Sequence, residues 1–304
     1  MPVSKKIKTF STYEFVDRYF DPEPPLQEMM RPDFGRFFIV DVQELIKLSK
    51  LPVPPSRSTT HSLIYLTSGE ATMKIGFHDV CIQANECLIV PAGQVFSYDK
   101  YEQNQGYIVV FSSDFLIGKI GSKELIDQFE FLTLWGNPII RPTPPSAPFL
   151  EMLFQRVQLE YQQYGLGSSL IQPYFITALC ELNRAYQPLA QGKSTTSLHL
   201  TNRFKALLHQ YIRSKHLVSE YAELLHVSPN HLNKVIRDVT NQSPSKWIDE
   251  TLVLEAKVLL FQSKLSISEI AAELGLLDAS YFSRLFKKYV GVSPNEFRKR
   301  IDLS

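Results

Sequence analysis

Two sets of polar side chains recur at helical spacing in the C-terminal third of this 304-residue chain. Asn230, His231, Asn233, Lys234 and Arg237 form the first set, and Ser280, Tyr281, Arg284, Lys287 and Lys288 the second. Amides and guanidinium groups can bond two base-edge atoms at once, while lysines and helix N-termini hold phosphates. One side of a helix carrying that mixture suits the major groove of duplex DNA. Leu232, Val235 and Ile236 interleave with the first set, and Phe282, Leu285 and Phe286 with the second, at spacing that buries the opposite side.

The elements that must position these sets are themselves repeated. Ser219-Glu220 answers Ser268-Glu269 at an offset of 49, and Ser243-Pro244 answers Ser293-Pro294 at an offset of 50. The second copy therefore holds one extra residue between these landmarks. In the first copy Ala222, Leu224 and Leu225 make the apolar side of a short helix, and Val227 fills a turn. Ser228 then supplies an N-cap oxygen, and Pro229 takes the first helical position, where its missing N–H costs nothing. This is the grammar of a helix-turn-helix over residues 218–239, repeated over residues 267–289. Two copies in register argue against an ordinary amphipathic surface helix in either place. Between them, residues 245–261 read as one helix, about 26 Å long at 1.5 Å per residue. Successive major-groove faces on one side of B-DNA lie about 34 Å apart. A rigid connector of that length, with the two motif bodies, lets one subunit read two adjacent major-groove segments.

This arrangement resembles the AraC/XylS family of bacterial transcription regulators. The residues that carry the resemblance are Ile270-Ala271, Gly275, Ser280-Tyr281-Phe282, Arg284, Phe286-Lys287-Lys288, Gly291, Ser293-Pro294 and Arg298. Glu255-Ala256-Lys257 and Leu259-Leu260 extend it into the connecting helix. Two positions depart from the family pattern: Leu252 stands where an arginine is frequent, and Leu276 where an aromatic commonly follows the glycine. The resemblance implies a sequence-specific transcription regulator. Its partners would be double-stranded promoter DNA, a second copy of the chain, a small-molecule effector and RNA polymerase.

Length and composition suit two domains rather than one. The net charge of +1 hides an asymmetry: residues 201–304 hold 15 Lys+Arg against 11 Asp+Glu, and the remainder 17 against 20. The basic excess sits with the motif, as phosphate binding requires. No apolar run approaches the ~20 residues of a membrane span. The start, Met1-Pro-Val-Ser-Lys-Lys, lacks the apolar stretch of a secretory signal. Cys81, Cys87 and Cys180 are odd in number and lack metal-type spacing, which fits buried thiols in a cytoplasm.

The N-terminal part reads differently. Thr12–Tyr19 suggests a short helix, followed by breakers at Asp21-Pro-Glu-Pro-Pro. Between residues 37 and 111 short strands alternate with turns: Phe37–Val42, Leu63–Thr67, Ala71–Ile75, Val80–Gln83, Cys87–Val90, Val95–Tyr98 and Tyr107–Phe111. This rhythm favours a small antiparallel barrel or sandwich. Beside the C-terminal motif it is similar to the cupin-type sensing domain of AraC relatives. Helices are expected at Lys123–Leu132, Phe149–Tyr164 and Leu170–Tyr186. Leu150, Leu153, Phe154, Val157 and Tyr161 form one apolar stripe, and Ile171, Phe175, Ile176, Leu179, Cys180 and Leu182 another. Either stripe packs internally or forms a homodimer seam. The expected fold is two-domain α+β: a cupin-like antiparallel β-barrel with appended helices over residues 1–190, a linker at 191–199, and an all-α double helix-turn-helix over 200–304. The first helix of the latter is expected at Leu200–Arg213.

Many cupins are metalloenzymes, which sets up a rival reading. Their sites need two closely spaced histidines, a carboxylate a few residues on, and a third histidine on a later strand. His61 and His78 are far apart, and the later strand carries Val95, Phe96 and Tyr98 instead. No metal, cofactor or catalytic residue is expected, and there is no phosphate loop, dinucleotide fingerprint or nucleophile elbow. A barrel of this size can still hold one small ligand. Arg57, His61, Tyr65 and Tyr98 are the residues expected to touch an effector. The alternatives to a regulator are a metabolite-processing cupin enzyme with a helical appendage, and a helix-turn-helix module that binds protein rather than DNA.

Overall fold

A computed structural model describes residues 9–22, 33–100, 102–117, 123–126, 128–133, 136–186 and 195–302. Two units separate, Thr9–Pro188 and one containing Leu189–Ser304. Part of the expected breaker cluster (23–25) and part of the expected linker (191–194) lie outside the described residues.

The first unit begins with α1 (Thr12–Tyr19), entered through a capping box: Ser11 Oγ accepts from the Glu14 N–H, and the Ser11 N–H donates to Glu14 Oε2 at 2.9 Å. Strand β1 (Phe37–Asp41) runs into α2 (Val42–Lys47), capped by the Asp41 carboxylate. Then come β2 (Val53–Ser56), β3 (His61–Ile75), β4 (His78–Gln83), β5 (Cys87–Val90), β6 (Phe96–Tyr98) and β7 (Asn104–Phe111). After these lie α3 (Ser113–Leu116), α4 (Lys123–Ile126), a 3₁₀ turn at Glu130–Leu132, and β8 (Ile139–Ile140).

Strand β3 organises the sheet. It joins the two strands expected at Leu63–Thr67 and Ala71–Ile75, passing through Gly69 at φ +78°. Its first part pairs with β5 and β7; its last part pairs with β4 and β6, all antiparallel. A register shift between Leu66 and Ser68, beside the left-handed Gly69, turns the strand from one sheet into the other. The main pairing path runs β1-β7-β3-β5-β8, with β4, β6 and β2 branching from it. Among the described residues this path does not return on itself. The N-terminal unit is thus antiparallel, as expected, with a main sheet path that is not closed; the cupin-like barrel expected there is not confirmed.

Helices α5 (Ala147–Tyr164) and α6 (Ile171–Ala185) cover the sheet. Phe154 lies 5.3 Å from the Tyr65 ring, and Phe175 lies 4.9 Å from Phe111 and 5.3 Å from Phe37. Of the two outcomes expected for the apolar stripes, internal packing is the one seen here. Leu150, Phe154, Val157, Tyr161, Ile171, Phe175, Leu179 and Leu182 are core residues, with Leu153 and Cys180 half-buried against them. What α5 leaves exposed is a different set, Phe149, Met152, Leu159 and Tyr164. The helix expected over Lys123–Leu132 is interrupted: α4 ends at Ile126, and Phe129 and Phe131 are both buried at the 3₁₀ turn that follows.

The second unit is helical: α7 (Thr195–Tyr211), α8 (Val218–Leu224), α9 (Pro229–Thr240), α10 (Pro244–Gln262), α11 (Ile267–Glu273), α12 (Ala279–Val290) and α13 (Pro294–Asp302). Helix α7 begins five residues before the expected Leu200. Serine or aspartate caps recur at Ser228, Ser243, Ser266 and Asp278. Helix α10 packs against α7, α9, α11, α12 and α13, and twelve of its side chains from Pro244 to Leu260 are buried. Leu252 is one of them, so a leucine serves in this helix as core.

Gly275 follows α11 at φ +73°, and a Cβ there would come within 2.2 Å of the Arg213 carbonyl oxygen. Gly291 ends α12 at φ +83° with nothing within 4 Å. Gly291→Ala should therefore cost only the left-handed strain, about 1–2 kcal/mol. Gly275→Ala should cost clearly more, because backbone must also move. Denaturant midpoints of the two variants check this ordering; equal midpoints would show that the Arg213 turn yields freely.

Candidate nucleic-acid interface

Each polar set sits on a helix whose entry is held by a side-chain cap. Ser228 Oγ accepts from the His231 N–H at 3.1 Å, aiming the first turn of α9. Asp278 Oδ1 accepts from the Ser280 N–H at 2.7 Å, aiming the first turn of α12. Leu232, Val235, Ile236 and Val239 are buried beneath α9, and Phe282, Leu285 and Phe286 beneath α12. With the inner face fixed by packing, the outer face follows from the 100° turn per residue.

Asn230, His231, Lys234 and Arg237 are exposed on α9. Asn233 is half-buried, and its Nδ2 donates to the Pro229 carbonyl at 3.0 Å, so one amide hydrogen is engaged within the helix. On α12, Ser280, Tyr281, Arg284, Lys287 and Lys288 are all exposed. The structure brings each set together on one helix face.

Two of these cations meet carboxylates. Arg284 lies 3.8 Å from Asp278 Oδ2, with both side chains largely exposed, a contact of little net strength. Backbone N–H groups of Ser280 and Tyr281 hold the Asp278 carboxyl below its ordinary value, and Arg284 adds to this. Asp278 thus caps the helix and lies beside Arg284, and its position before Ala279 signals only the cap. Lys288 Nζ lies 3.8 Å from Asp249 Oδ2 and 5.0 Å above the Tyr289 ring. The Tyr289 hydroxyl donates to the same Asp249 oxygen at 2.9 Å.

The four residues expected to touch an effector do not line one cavity. A cavity of about 90 Å³ lies inside the first unit, walled by Phe15, Val16, Phe38, Ile64, Met73 and Phe96 among others, with Thr12, Thr60, Ser62 and Tyr98 adding hydroxyls. Of the expected residues only Tyr98 lines it; its hydroxyl is 3.3 Å from Ser49 Oγ, and burial pushes its pKa up to about 12. On β3, Ser62 and Ile64 face the cavity, so the alternation of a strand turns His61 and Tyr65 to the other side. There the Tyr65 hydroxyl donates to the Ala147 carbonyl at 3.1 Å. Arg57 is buried outside the cavity lining, and its carbonyl accepts from the Phe10 N–H.

His61 is a structural imidazole. Its Nδ1 accepts from the Ala92 N–H at 3.1 Å, so Nε2 carries the proton and donates to Ser113 Oγ at 3.0 Å. The ring stacks on Phe111, with centroids 5.1 Å apart. Among the described residues no cluster of three or more His, Cys, Asp or Glu could hold a metal ion, and no helix is long and apolar enough to cross a membrane.

A family profile described as a helix-turn-helix domain matches residues 221–300. The chain is 35% identical over 138 residues to the Msm operon regulatory protein of Streptococcus mutans, covering 45% of this chain and 46% of that one. It is 34% identical over 166 residues to the arabinose operon regulatory protein of Escherichia coli, covering 52% and 54%. Against the HTH-type transcriptional activator RhaR of Cronobacter sakazakii it is 29% identical over 272 residues, covering 87% and 94%. The match spans about half the length of the first two relatives.

Burial pushes the His61 pKa down from 6.5 to about 4. The unfolded chain takes up a proton as pH falls below about 6.5, while folded His61 stays neutral until about 4. The stability linked to this site is therefore complete above pH 6.5 and is lost progressively toward pH 4, by about 3 kcal/mol. Denaturant unfolding of wild type and His61→Gln across that range measures the difference. Parallel pH profiles would show that His61 does not titrate as its burial implies.

Proposed function

We infer, from the premise that residues 221–300 are an AraC-type helix-turn-helix domain, that this protein is a sequence-specific DNA-binding transcription regulator. One observation carries the reading: two separately capped helices expose polar and basic faces while a single buried helix, α10, joins their bodies. In this reading Asn230, His231, Asn233 and Lys234 meet base edges in one major-groove segment. Ser280, Tyr281 and Arg284 meet them in the next, with Arg237, Lys287 and Lys288 on phosphates. The weak ion pair to Asp278 leaves Arg284 able to exchange partners for a guanine edge. Relatives named as operon regulators and as a transcriptional activator support the assignment.

The first unit, with residues 1–190 as its domain, is then the sensing and dimerising part. The internal cavity is the place for a small effector, and at about 90 Å³ it is below the usual size of a ligand pocket. Entry of a ligand would displace α1, whose Phe15 and Val16 form one wall. A homodimer seam belongs on the exposed apolar side chains of α5, Phe149, Met152 and Leu159, which recur at heptad-like spacing. A promoter-binding protein of this kind works in the cytoplasm and meets RNA polymerase there. The relatives are named as regulators, which favours this reading over the enzyme reading.

Selection of duplexes from a random library by the full-length protein, followed by a salt titration, tests the reading. Two sequence blocks about one helical turn apart and a steep loss of affinity with salt are expected. Absence of any enriched sequence would overturn it. On the selected duplex, Arg284→Ala should cost about 1–3 kcal/mol and relax preference at one position. Lys288→Ala should weaken all sequences evenly and make the salt slope shallower by about one. A uniform loss for Arg284→Ala would move that residue to the phosphates.

A further inference from the structure

The extra residue in the second motif can be placed, and it is Leu277. Up to the turn the two copies keep the offset of 49. His226 and Gly275 both take positive φ, at 57° and 73°. The Val227 N–H donates to the Ala222 carbonyl at 3.0 Å, and the Leu276 N–H to the Ala271 carbonyl at 2.8 Å. From the N-cap onward the offset is 50, with Ser228 answered by Asp278. Leu277 alone, between turn and cap, has no counterpart.

A leucine just before an N-cap ordinarily staples onto the fourth helical residue, which here is Phe282. Leu277 does not do so. It is 107% exposed, whereas Phe282 is 1% exposed and packs 6.0 Å from Phe286. The insertion thus pushes an aliphatic side chain fully into solvent at the leading end of α12, the end that also presents Ser280 and Tyr281. Tyr281 is itself 44% exposed. At matching positions the Asn230 and His231 of the first helix are answered by Ser280 and Tyr281, and only the second has a fully exposed aliphatic side chain, Leu277, ahead of its N-cap.

Base edges in the major groove are polar except at one group, the thymine 5-methyl. We propose that Leu277, together with Tyr281, contacts thymine methyl groups and makes the second motif a reader of T-containing sequence. The proposal rests on the DNA-binding reading above and adds a specificity residue that the repeat, taken as two equivalent copies, conceals.

The test uses the full-length protein and the duplex selected above. Each thymine of the block assigned to α12 is replaced in turn by deoxyuridine, which lacks only the methyl group. Wild type should lose about three- to fivefold in affinity at one or two positions, the factor expected for burying one methyl group. Leu277→Ala should be weaker by a similar factor on the thymine duplex and indifferent to deoxyuridine at those positions. Its thermal midpoint should match wild type, since the side chain is exposed. Equal weakening on both duplexes, or no weakening at all, would overturn the proposal. Unchanged binding with lost promoter activation would overturn it too, by assigning Leu277 to a protein contact. If wild type enriches no duplex, the DNA-binding reading fails and this proposal with it; enrichment with methyl indifference overturns this proposal alone.

Discussion

Burial of α10 around most of its circumference is the constraint on which the helical C-terminal half depends. A helix-turn-helix of some twenty residues cannot enclose a core of its own. Here both motifs share one, because Trp247, Ile248, Leu252, Leu254, Val258 and Leu259 point to different sides of a single helix and find apolar neighbours on each. Polar ties fix the angles that packing leaves. Trp247 Nε1 donates to Thr240 Oγ1 at 3.0 Å at the end of α9, and Tyr289 on α12 donates to Asp249. Glu255, 4% exposed, has Arg213 3.7 Å away. The separation of α9 and α12 is therefore a property of one core, and a change inside α10 would disturb both.

In the N-terminal unit the corresponding constraint is the alternation of β3. One face of its first half packs under α5 and α6 through His61, Leu63 and Tyr65, and the other borders the cavity through Ser62 and Ile64. Polar groups on the helix side are satisfied internally, as the bonds of His61 and Tyr65 show. Those facing the cavity are hydroxyls in an otherwise apolar wall. A molecule bound there would be chosen by shape and a few hydrogen bonds, with no buried charge among the cavity-lining side chains to meet it.

The exposed polar faces of α9 and α12 were legible in the amino-acid sequence because their signals are local. Ser228, Pro229 and Ser243 act within three residues of their own position, and the burial of Leu232, Val235 and Ile236 follows from helical period alone. The helix Thr12–Tyr19 was legible for the same reason, since Ser11 and Glu14 close its capping box without help from the rest of the chain. Short strands were legible as strands, but their ends were not: Leu63–Thr67 and Ala71–Ile75 read as two because Gly69 looks like a turn.

Composition, cap residues and hydrophobic period thus determined two dissimilar halves, a repeated motif and the outward faces of α9 and α12. Tertiary structure decided what depends on partners distant in sequence. It made β3 one strand bridging two sheets, and it turned Tyr65 and His61 away from the cavity that Tyr98 lines. It used the stripes of α5 and α6 as core, leaving Phe149, Met152 and Leu159 outside. It also assigned the extra residue of the second motif to Leu277, because a repeat offset shows that a residue was added but not where. Caps and periodicity act over one helical turn, whereas register, facing and exposure are settled only when strands and helices close on one another.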